Sequence, residues 1–472
     1  MEDVNRNVAL EDIDRETVFH PNTSIADHLH NGPMILANGS GVRVHHHDGR
    51  EMIDCGAGLW CVNAGYGRSE LAETAKDAIE TLAYYHLFGG ASNPPIIKLA
   101  EKVLSLFHEE ADARHLSKVF FGLGGSDAND TNFKLVRLYN NLRGLPEKKK
   151  IISRTGGYHG LTFAAAALTG IPAYHKAWDL PMDDIIHTSC PHYYRFGLPE
   201  ETEEQFCDRM IAEITAIIDR EGADRIAAFI AEPVMGTGGV LPPPVGYFEK
   251  LQPILEQNDI LFIVDEVITG FGRTGTWFAT GGMKLKPDIV TLAKGITSAY
   301  FPLSASVIGE HVWDVLRDAS ETYGPVMHGF TYSGHPVGGA IGLANLDILA
   351  RENLCGQAED VGAYFRTALQ QAVGDHPFVG DIRGIGQMNA IEYVADKASK
   401  RWFDPKAGAH KIVAAKAAEC GVLTRALPFI EVTAFSPPLV MTKAEADEAI
   451  ARLSRALDLA TPQLEALASE AA

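Results

Sequence analysis

The stretch ILFIVDEVITGFGRTGTWFATGGMKLKPDIVTLAKG, residues 260–295, contains two short apolar runs that each end in a charged residue. The first run precedes Asp265, and the second precedes Lys294. Both runs are short and rich in β-branched residues, which predicts strands buried on both faces of a sheet. A charged side chain at the end of such a strand is either solvated or functional, because burying it without a partner is costly.

Further short apolar runs follow the same pattern on either side of this stretch. They lie at 118–122, 150–153, 227–231 and 303–308, and helix-like segments at 126–142, 204–220 and 246–257 separate most of them from the next run. Alternation of buried strands and helices predicts a large α/β domain with a mainly parallel sheet.

The pattern changes after a long helix that begins near His335. Helical segments at 359–373, 411–419 and 443–457 surround glycine-broken strands between 381 and 394, which predicts a smaller α+β domain. The first ~50 residues are polar and irregular and end in VRVHHHDGREMID (42–54), a strand, a turn and a strand. We therefore predict an N-terminal segment (1–75) that contributes to the small domain, a large domain (76–345) and a C-terminal small domain (346–472).

Composition excludes several classes of partner. The 472 residues include 41 basic and 61 acidic side chains, a net charge of −20 that opposes binding to nucleic acid or to an anionic membrane. The six cysteines show no paired spacing, which is typical of reduced thiols. No apolar run approaches the ~18 residues of a membrane span, and no signal peptide is evident, so a cytoplasmic location is expected.

Two motifs suggest other chemistries. The three consecutive histidines, 45–47, invite a metal site, but successive strand residues face opposite ways and Asp48-Gly49 favours a hairpin, so we predict no metal. GFGRTG (270–275) matches a dinucleotide fingerprint, which would make the protein a nicotinamide enzyme. The residues that follow lack a helical period, so we interpret this match as accidental.

The segment FFGLGGSDAND (120–130) is a better anion site. A strand leads to Gly124-Gly125, and Ser126 begins an amphipathic helix whose free N–H groups would suit a phosphate monoester. The alternative is that Ser126 only caps its helix.

Pyridoxal phosphate is the simplest cofactor that requires all three features. Its aldehyde binds a lysine amine, its ring nitrogen needs a carboxylate and its phosphate needs a helix N-terminus. Lys294, Asp265 and the loop before Ser126 would supply these groups at one edge of the sheet. The alternative, a structural ion pair between Asp265 and Lys294, leaves the glycine loop unexplained.

Six motifs together resemble the class III pyridoxal-phosphate-dependent aminotransferases of fold type I, and within them the ω-amine:pyruvate transaminases. They are GLWCVNAGYGR (58–68), GGYHG (156–160), AEPVMGTGGV (231–240), FIVDEVITGFGRTG (262–275), TLAKG (291–295) and HGFTYSGHP (328–336). The resemblance implies a seven-stranded, mainly parallel sheet in the large domain. It also implies a homodimer with shared active sites, and leaves association into a tetramer open.

The resemblance also implies the roles of individual residues. Lys294 would bind the cofactor aldehyde and act as the catalytic base, and Asp265 would hold the ring nitrogen. The other cofactor contacts would be Gly125 and Ser126 at the phosphate, Tyr158 and Val267 on the two ring faces, His159 and Glu232 beside the ring, and Thr331 at the phosphate of the neighbouring subunit. The substrate contacts would be Trp60, Phe88, Tyr158, Tyr332 and Arg425.

The sequence departs from the family pattern twice. Gly124 and Asp127 replace a serine and a glutamate in the phosphate loop, which leaves the backbone donors in place. The distance from Arg425 to Pro437 is also longer than usual, so the Arg425 segment is expected to form an altered, mobile loop that grips the keto acid.

The expected reaction is ping-pong transfer of an amino group from a primary amine or ω-amino acid to a keto acid, with pyruvate as the expected acceptor. The alternatives are a 2-oxoglutarate-dependent enzyme of the ornithine or 4-aminobutyrate type, a decarboxylase or aminomutase of the same fold, and a non-catalytic protein on this scaffold.

Overall fold

Three β-sheets form the frame of the computed structural model, which describes residues 9–404 and 406–470. The strands are β1 Leu36–Ser40, β2 Arg43–His46, β3 Glu51–Asp54, β4 Leu116–Gly122, β5 Lys150–Arg154, β6 Ile185–Thr188, β7 Ile226–Ala231, β8 Leu261–Asp265, β9 Ile289–Leu292, β10 Ser304–Gly309, β11 Val379–Ile385, β12 Met388–Tyr393, β13 Val422–Leu423, β14 Arg425–Ala426 and β15 Val432–Phe435.

Helices cover both sides of this frame. They are α1 Leu10–Thr17, α2 Ile25–Asn31, α3 Ala57–Trp60, α4 Ser69–Leu82, α5 Pro94–Glu110, α6 Gly125–Leu142, α7 Phe163–Leu168, α8 Tyr193–Phe196, α9 Glu203–Glu221, α10 Tyr247–Gln257, α11 Ala279–Gly282, α12 Glu310–Arg317, α13 Ala319–Tyr323, α14 Pro336–Arg351, α15 Leu354–Val373, α16 Ala409–Glu419 and α17 Lys443–Glu470. Short 3₁₀ turns lie at Phe88–Gly90, Pro172–Tyr174 and Lys294–Ile296. Among the described residues, no helix is both long and apolar enough to cross a membrane.

The largest sheet has seven strands in the order β4-β10-β9-β8-β7-β5-β6. Strand β10 runs antiparallel to the other six strands, which are parallel to one another, so the prediction of a mainly parallel seven-stranded sheet is confirmed. Side chains of β7 alternate between the two faces: Phe229 packs with α9 and α10, whereas Ile230 packs with α6. Because β4, β5, β7, β8 and β9 run in the same direction, their carboxyl ends share one edge of the sheet. Ligands of α/β sheets bind at that edge.

The C-terminal part forms a second core. Strands β11, β12, β15 and β14 make an antiparallel sheet, with α15, α16 and α17 packed in the same apolar cluster. The N-terminal strands β1, β2 and β3 pair with β13 from the C-terminal part, where Ile53 lies opposite Val422. This pairing supports a small domain that includes N-terminal residues. The boundaries at 75 and 345 stay a prediction, and residues 1–8 and 471–472 lie outside the described residues.

The histidine run forms the predicted hairpin. Strands β2 and β3 pair antiparallel, and His45, His46 and His47 face three separate carboxylates, those of Glu51, Asp48 and Glu11. The GFGRTG segment forms turns, and the next helix, α11, has only four residues.

Several elements were not predicted from the sequence, among them two N-terminal helices and one strand of the large sheet. The N-terminal segment contains α1 and α2, which are too short to show a clear helical period. A side-chain cap helps the second of them, because Ser24 Oγ accepts a hydrogen bond from the Asp27 N–H at 3.3 Å. Strand β6 was also not predicted, because it contributes only Ile185 and Ile186 before polar residues. It lies at the edge of the sheet.

Candidate active site

A cavity of about 320 Å³ lies at the carboxyl edge of the large sheet. Eight of the predicted site residues line it: Gly125, Ser126, Tyr158, His159, Glu232, Asp265, Val267 and Lys294. They come from the ends of β4, β5, β7, β8 and β9 or the segments that follow, as the topology requires. Residues far apart in the sequence thus meet at one place.

Lys294 begins a 3₁₀ turn directly after β9, with a backbone φ of 46°. Burial lowers the pKa of its amine, and the positive charge of Arg425 lowers it further, against the opposing effects of Cys61, Asp265 and Glu232. A Cβ atom at Gly295 would lie 2.6 Å from Asn63 Nδ2 and 2.9 Å from Phe271 Cβ. Asn63 and Phe271 therefore pack so closely against Gly295 that no larger side chain fits at this position.

The lowered pKa predicts that Lys294 destabilises the cofactor-free fold. Between its lowered folded-state pKa and about pH 10.5 the unfolded chain binds more protons at this lysine than the folded chain does, so the destabilisation decreases as the pH rises and disappears as the pH approaches 10.5. We expect Lys294→Met to raise the melting temperature of the cofactor-free protein, by about 1 °C for each kcal/mol removed from a chain of 472 residues. Thermal unfolding at pH 7 and pH 9.5 checks this, and the gain should shrink at the higher pH.

Lys286→Met is the matched control, because Lys286 is exposed in the same stretch. It should show no gain. A lower melting temperature for Lys294→Met at pH 7, or a gain that grows with pH, would contradict the prediction.

Asp265 is 4% exposed and its carboxylate is held on both oxygens. Oδ2 accepts hydrogen bonds from Asn129 Nδ2 and is paired with His159 Nδ1, each at 2.8 Å, and Oδ1 accepts one from the Val267 N–H at 3.1 Å. Thr291 Oγ1 in turn donates to Asn129 Oδ1 at 2.7 Å. The network fixes the orientation of the carboxylate at the cavity wall.

Sequence reasoning missed Asn129. It lies in α6 one turn after Gly125, so it projects from the same end of the helix toward the strand ends. That spacing is the signal that could have identified it. Cys61 also lines the cavity without having been predicted, and burial raises the pKa of its thiol.

The glycine-rich loop before α6 offers an anion cradle. A Cβ at Gly124 would meet nothing within 4 Å, and the first N–H groups of α6 have no partner within the helix. Asp127 accepts hydrogen bonds from the N–H groups of Leu123 (2.8 Å) and Gly124 (3.1 Å), which turns the loop and leaves the N–H groups of the next residues free. Asp127, which stands where the family pattern has a glutamate, therefore holds the turn of this loop.

Two close approaches complete the cradle. A Cβ at Gly160, where φ is +127°, would lie 2.4 Å from Ser126 Oγ, so a side chain there would displace the serine. Ser126 Oγ accepts a hydrogen bond from the Leu161 N–H at 3.1 Å, which leaves its own proton available to a ligand. A Cβ at Gly125 would lie 3.0 Å from Val267, so the cradle and the opposite wall are in contact.

Tyr158 and Glu232 form the other side of the cavity. Glu232 is 3% exposed and accepts hydrogen bonds from the N–H groups of Tyr158 (2.9 Å) and Gly236 (2.8 Å). Burial raises the pKa of Glu232, and burial also raises the pKa of Tyr158 to about 12. The tyrosine is therefore neutral, and its ring lies edge-on to Tyr174 with the centroids 5.8 Å apart.

Arg425 lies near this cavity but outside its lining. It belongs to β14, which pairs with β15, so the extra chain length forms the tip of a hairpin after Arg425. Arg425 therefore lies in a two-residue strand rather than in a loop, and the mobility of this segment stays a prediction. Its guanidinium lies 5.6 Å from the Trp60 ring and makes no hydrogen bond or ion pair within the described part of the chain.

The remaining predicted substrate contacts lie elsewhere. Trp60 is 1% exposed and packs in an apolar cluster between the two domains' sheets, with a φ of 61°. Phe88 and Tyr332 are each 52% exposed and, like Thr331, do not line the cavity. Tyr84 Oη donates a hydrogen bond to the Thr331 carbonyl at 2.5 Å, which ties these segments together on an exposed surface.

The residues around the cavity fit pyridoxal phosphate. The open loop at Gly124 and Ser126 suits the phosphate, the fixed carboxylate of Asp265 suits a protonated ring nitrogen, and a lysine with a lowered pKa suits the aldehyde.

The family model described as "Aminotransferase class-III" matches residues 24–457. The chain belongs to the class III aminotransferases. Pyridoxal phosphate is the cofactor of this family.

Individual relatives agree with this assignment. The aminotransferase is 46% identical over 459 residues to the diaminobutyrate–2-oxoglutarate transaminase of Halomonas elongata, which covers 96% of this chain and 97% of that protein. It is 42% identical to the mitochondrial gamma aminobutyrate transaminase 1 of Solanum lycopersicum, over 93% of this chain and 84% of that one. The ω-transaminase from Pseudomonas jessenii in complex with PMP superposes with a TM-score of 0.92 at 42% identity, over 96% of this chain and 99% of that one.

Proposed function

We propose that this aminotransferase moves an amino group from a primary amine or ω-amino acid to pyruvate by a ping-pong mechanism. The observation that carries the proposal is the meeting of Lys294, Asp265 and the glycine loop at one cavity. Pyridoxal phosphate, when bound, supplies an aldehyde that carries the amino group and a ring that accepts electrons.

Each residue then has a distinct task. Lys294, whose lowered pKa favours the neutral amine, removes the proton from the donor carbon beside nitrogen and returns a proton one step later. Asp265 keeps a proton on the ring nitrogen, and the bonds from Asn129 and His159 hold its carboxylate in place. Ser126 and the free N–H groups of α6 bind the phosphate.

The environment of Arg425 favours a keto acid with a single carboxylate as the acceptor. Its guanidinium packs over the Trp60 ring and has no hydrogen-bonding or ionic partner among the described residues, so its N–H groups are available for a two-pronged contact with one carboxylate. Burial lowers the pKa of Arg425. An arginine guanidinium in a protein is a charged, forked donor that matches the geometry of a carboxylate. Pyruvate has one carboxylate for this one cation.

A 2-oxoglutarate acceptor is the second candidate, because the relative from Halomonas elongata is named for that acid. The test is a competition between equal concentrations of pyruvate and 2-oxoglutarate, with alanine and glutamate measured as products. We expect at least about tenfold more alanine, a difference of about 1.4 kcal/mol. A preference for glutamate would replace pyruvate with 2-oxoglutarate and leave the aminotransferase assignment unchanged.

Arg425→Leu tests the anchor in the same assay. Loss of a charge-assisted hydrogen bond costs about 1.5–3 kcal/mol, so KM for the keto acid should rise about 10- to 150-fold. The KM for 2-phenylethylamine, which lacks a carboxylate, should change little. Arg425→Lys keeps the charge without the fork and should give an intermediate value. An unchanged KM for pyruvate in Arg425→Leu would refute this role.

We also propose a homodimer with shared active sites. Thr331, Tyr332 and Phe88 lie on an exposed surface that also displays Met327 (86% exposed) and Tyr85 (51%), an unusual amount of apolar area for a free surface. Sedimentation should give a mass of about twice 51.1 kDa. Charge introduced by Met327→Glu should weaken the association, and a monomer that is fully active would contradict the proposal.

A further inference from the structure

Three side chains of the N-terminal segment converge outside the active site. Asp14 belongs to α1, His28 belongs to α2, and His20 lies in the connection between these helices. The Asp14 Oδ1 atom lies 2.8 Å from His20 Nε2 and 3.1 Å from His28 Nε2. One ligand atom from each residue therefore lies within 4.8 Å of the other two.

The two histidines differ in how well they are satisfied. His20 Nε2 is hydrogen-bonded to Asp14. His28 Nε2 is buried and has no hydrogen bond, because its contact with the same oxygen lacks the required geometry. The His28 side chain is only 9% exposed, so solvent does not readily replace the missing partner. A buried ring nitrogen aimed at a carboxylate and a second imidazole requires another explanation.

We propose that Asp14, His20 and His28 bind a divalent transition-metal ion of the zinc type. Imidazole and carboxylate are suitable ligands for such ions, and three protein ligands leave one position for water. Ligand atoms around a tetrahedral zinc ion are about 3.3 Å apart, so the observed separations need to open only slightly. The spacing in sequence, five residues and then seven, matches no common metal motif, which is why the sequence predicted none.

The surroundings are compatible with a cation. Arg15 is the nearest basic residue along α1, and its guanidinium is paired with Asp12 at 2.9 Å. Glu11, which is engaged by His47, and Glu16 add negative charge to the same helix. A cavity of about 250 Å³ that both histidines line gives an ion and its water access. Arg15 and Glu16 line the same cavity, and the pairing of Arg15 with Asp12 offsets the positive charge of the arginine.

The ion would also fix the chain close to the active site. Asn22 lies between the two histidines, and its Nδ2 donates a hydrogen bond to Tyr174 Oη at 3.3 Å. Tyr174 contacts the ring of Tyr158, which lines the cofactor cavity. Metal binding therefore orders a segment that covers the neighbourhood of the catalytic cavity.

Calorimetric titration of the tag-free holoenzyme with zinc chloride tests the site. We expect the wild type to bind one more zinc ion per chain than His28→Gln and Asp14→Asn, or these variants to bind it at least about tenfold more weakly. His45→Gln is the matched control, because His45 also faces a carboxylate and its side chain is 31% exposed, as is that of His20. It should bind zinc like the wild type.

Two further measurements keep the test independent of folding defects. X-ray absorption of the wild-type complex should show two imidazole nitrogens bound to zinc, and zinc should slow tryptic cleavage after Arg15 at least about fivefold in the wild type but not in His28→Gln. Equal zinc binding by the wild type and His28→Gln, a zinc shell without two imidazoles, or no extra equivalent in the wild type would each overturn the proposal. None of these outcomes bears on the transaminase assignment.

Discussion

Lys294→Ala is expected to lower kcat for amino transfer by at least about 10⁴-fold. The lysine combines two functions, covalent attachment of the aldehyde and transfer of the proton, and a positioned proton-transfer group alone contributes about 10²–10⁴-fold. No other lysine lines the cavity among the described residues, so none can take over either function. Alanine formation from pyruvate and an amine, measured at saturating cofactor, gives the rate.

Lys286→Ala is the control for this variant. Lys286 lies eight positions earlier and is exposed, so its removal should leave kcat within about twofold. Borohydride reduction of the wild-type holoenzyme followed by peptide mapping should place the cofactor on Lys294. A stable adduct on a different lysine, or a Lys294→Ala enzyme with more than a hundredth of the wild-type rate, would contradict the assignment.

Buried strands were the most predictable part of the fold. Runs such as 227–231 lie in the middle of the sheet and are apolar on both faces, so their composition alone identifies them. The edge strand β6 escaped prediction because it pairs with one neighbour and has only two apolar residues. Helices α1 and α2 escaped it because eight and seven residues are too few to establish a period.

The cofactor cavity was predictable where a residue ends a strand. Asp265 and Lys294 interrupt apolar runs, so their cost of burial makes them visible in the sequence. Asn129 gave no such signal, since a polar residue in a helix is ordinary, and its partnership with Asp265 spans 136 positions. Contacts of that kind follow from the fold, and only the finished topology reveals them.

The substrate contacts were harder to predict, because they depend on loops and turns rather than on the ends of buried strands. Trp60 lies under Arg425 in an apolar cluster, and its indole nitrogen is buried without a hydrogen bond. The length between Arg425 and Pro437 predicted a loop at Arg425, whereas Arg425 and Ala426 pair with strand β15. Phe88 and Tyr332 lie on an exposed surface away from the cavity, so their role in a site depends on the proposed homodimer.

The second large effect is expected for Asp265→Asn. The amide has the same shape and its oxygen can still accept from Asn129 and His159, but it is neutral and its NH2 group replaces the oxygen that accepts from the Val267 N–H. Loss of one preorganised electrostatic group typically lowers kcat by about 10²–10³-fold. We expect kcat of Asp265→Asn to fall by at least this factor. The assay uses saturating cofactor, so that weaker binding does not account for the loss.

Glu266→Gln separates this electrostatic effect from the general cost of changing a buried carboxylate. Glu266 is the next residue and is fully buried, but its oxygens accept hydrogen bonds from Thr269, Thr280 and the Ala279 N–H, away from the cavity. Burial raises the pKa of Glu266, and hydrogen bonds to both of its oxygens oppose that rise. The amide nitrogen of glutamine would face an N–H donor at either oxygen position, which is the reason to expect a cost in stability. We expect a lower melting temperature with kcat within about threefold, because the charge at 265 is untouched. Equal losses of activity in Asp265→Asn and Glu266→Gln would contradict the proposed role of Asp265. Such a result would mean that any change to a buried carboxylate here disturbs the structure, whatever the charge at position 265.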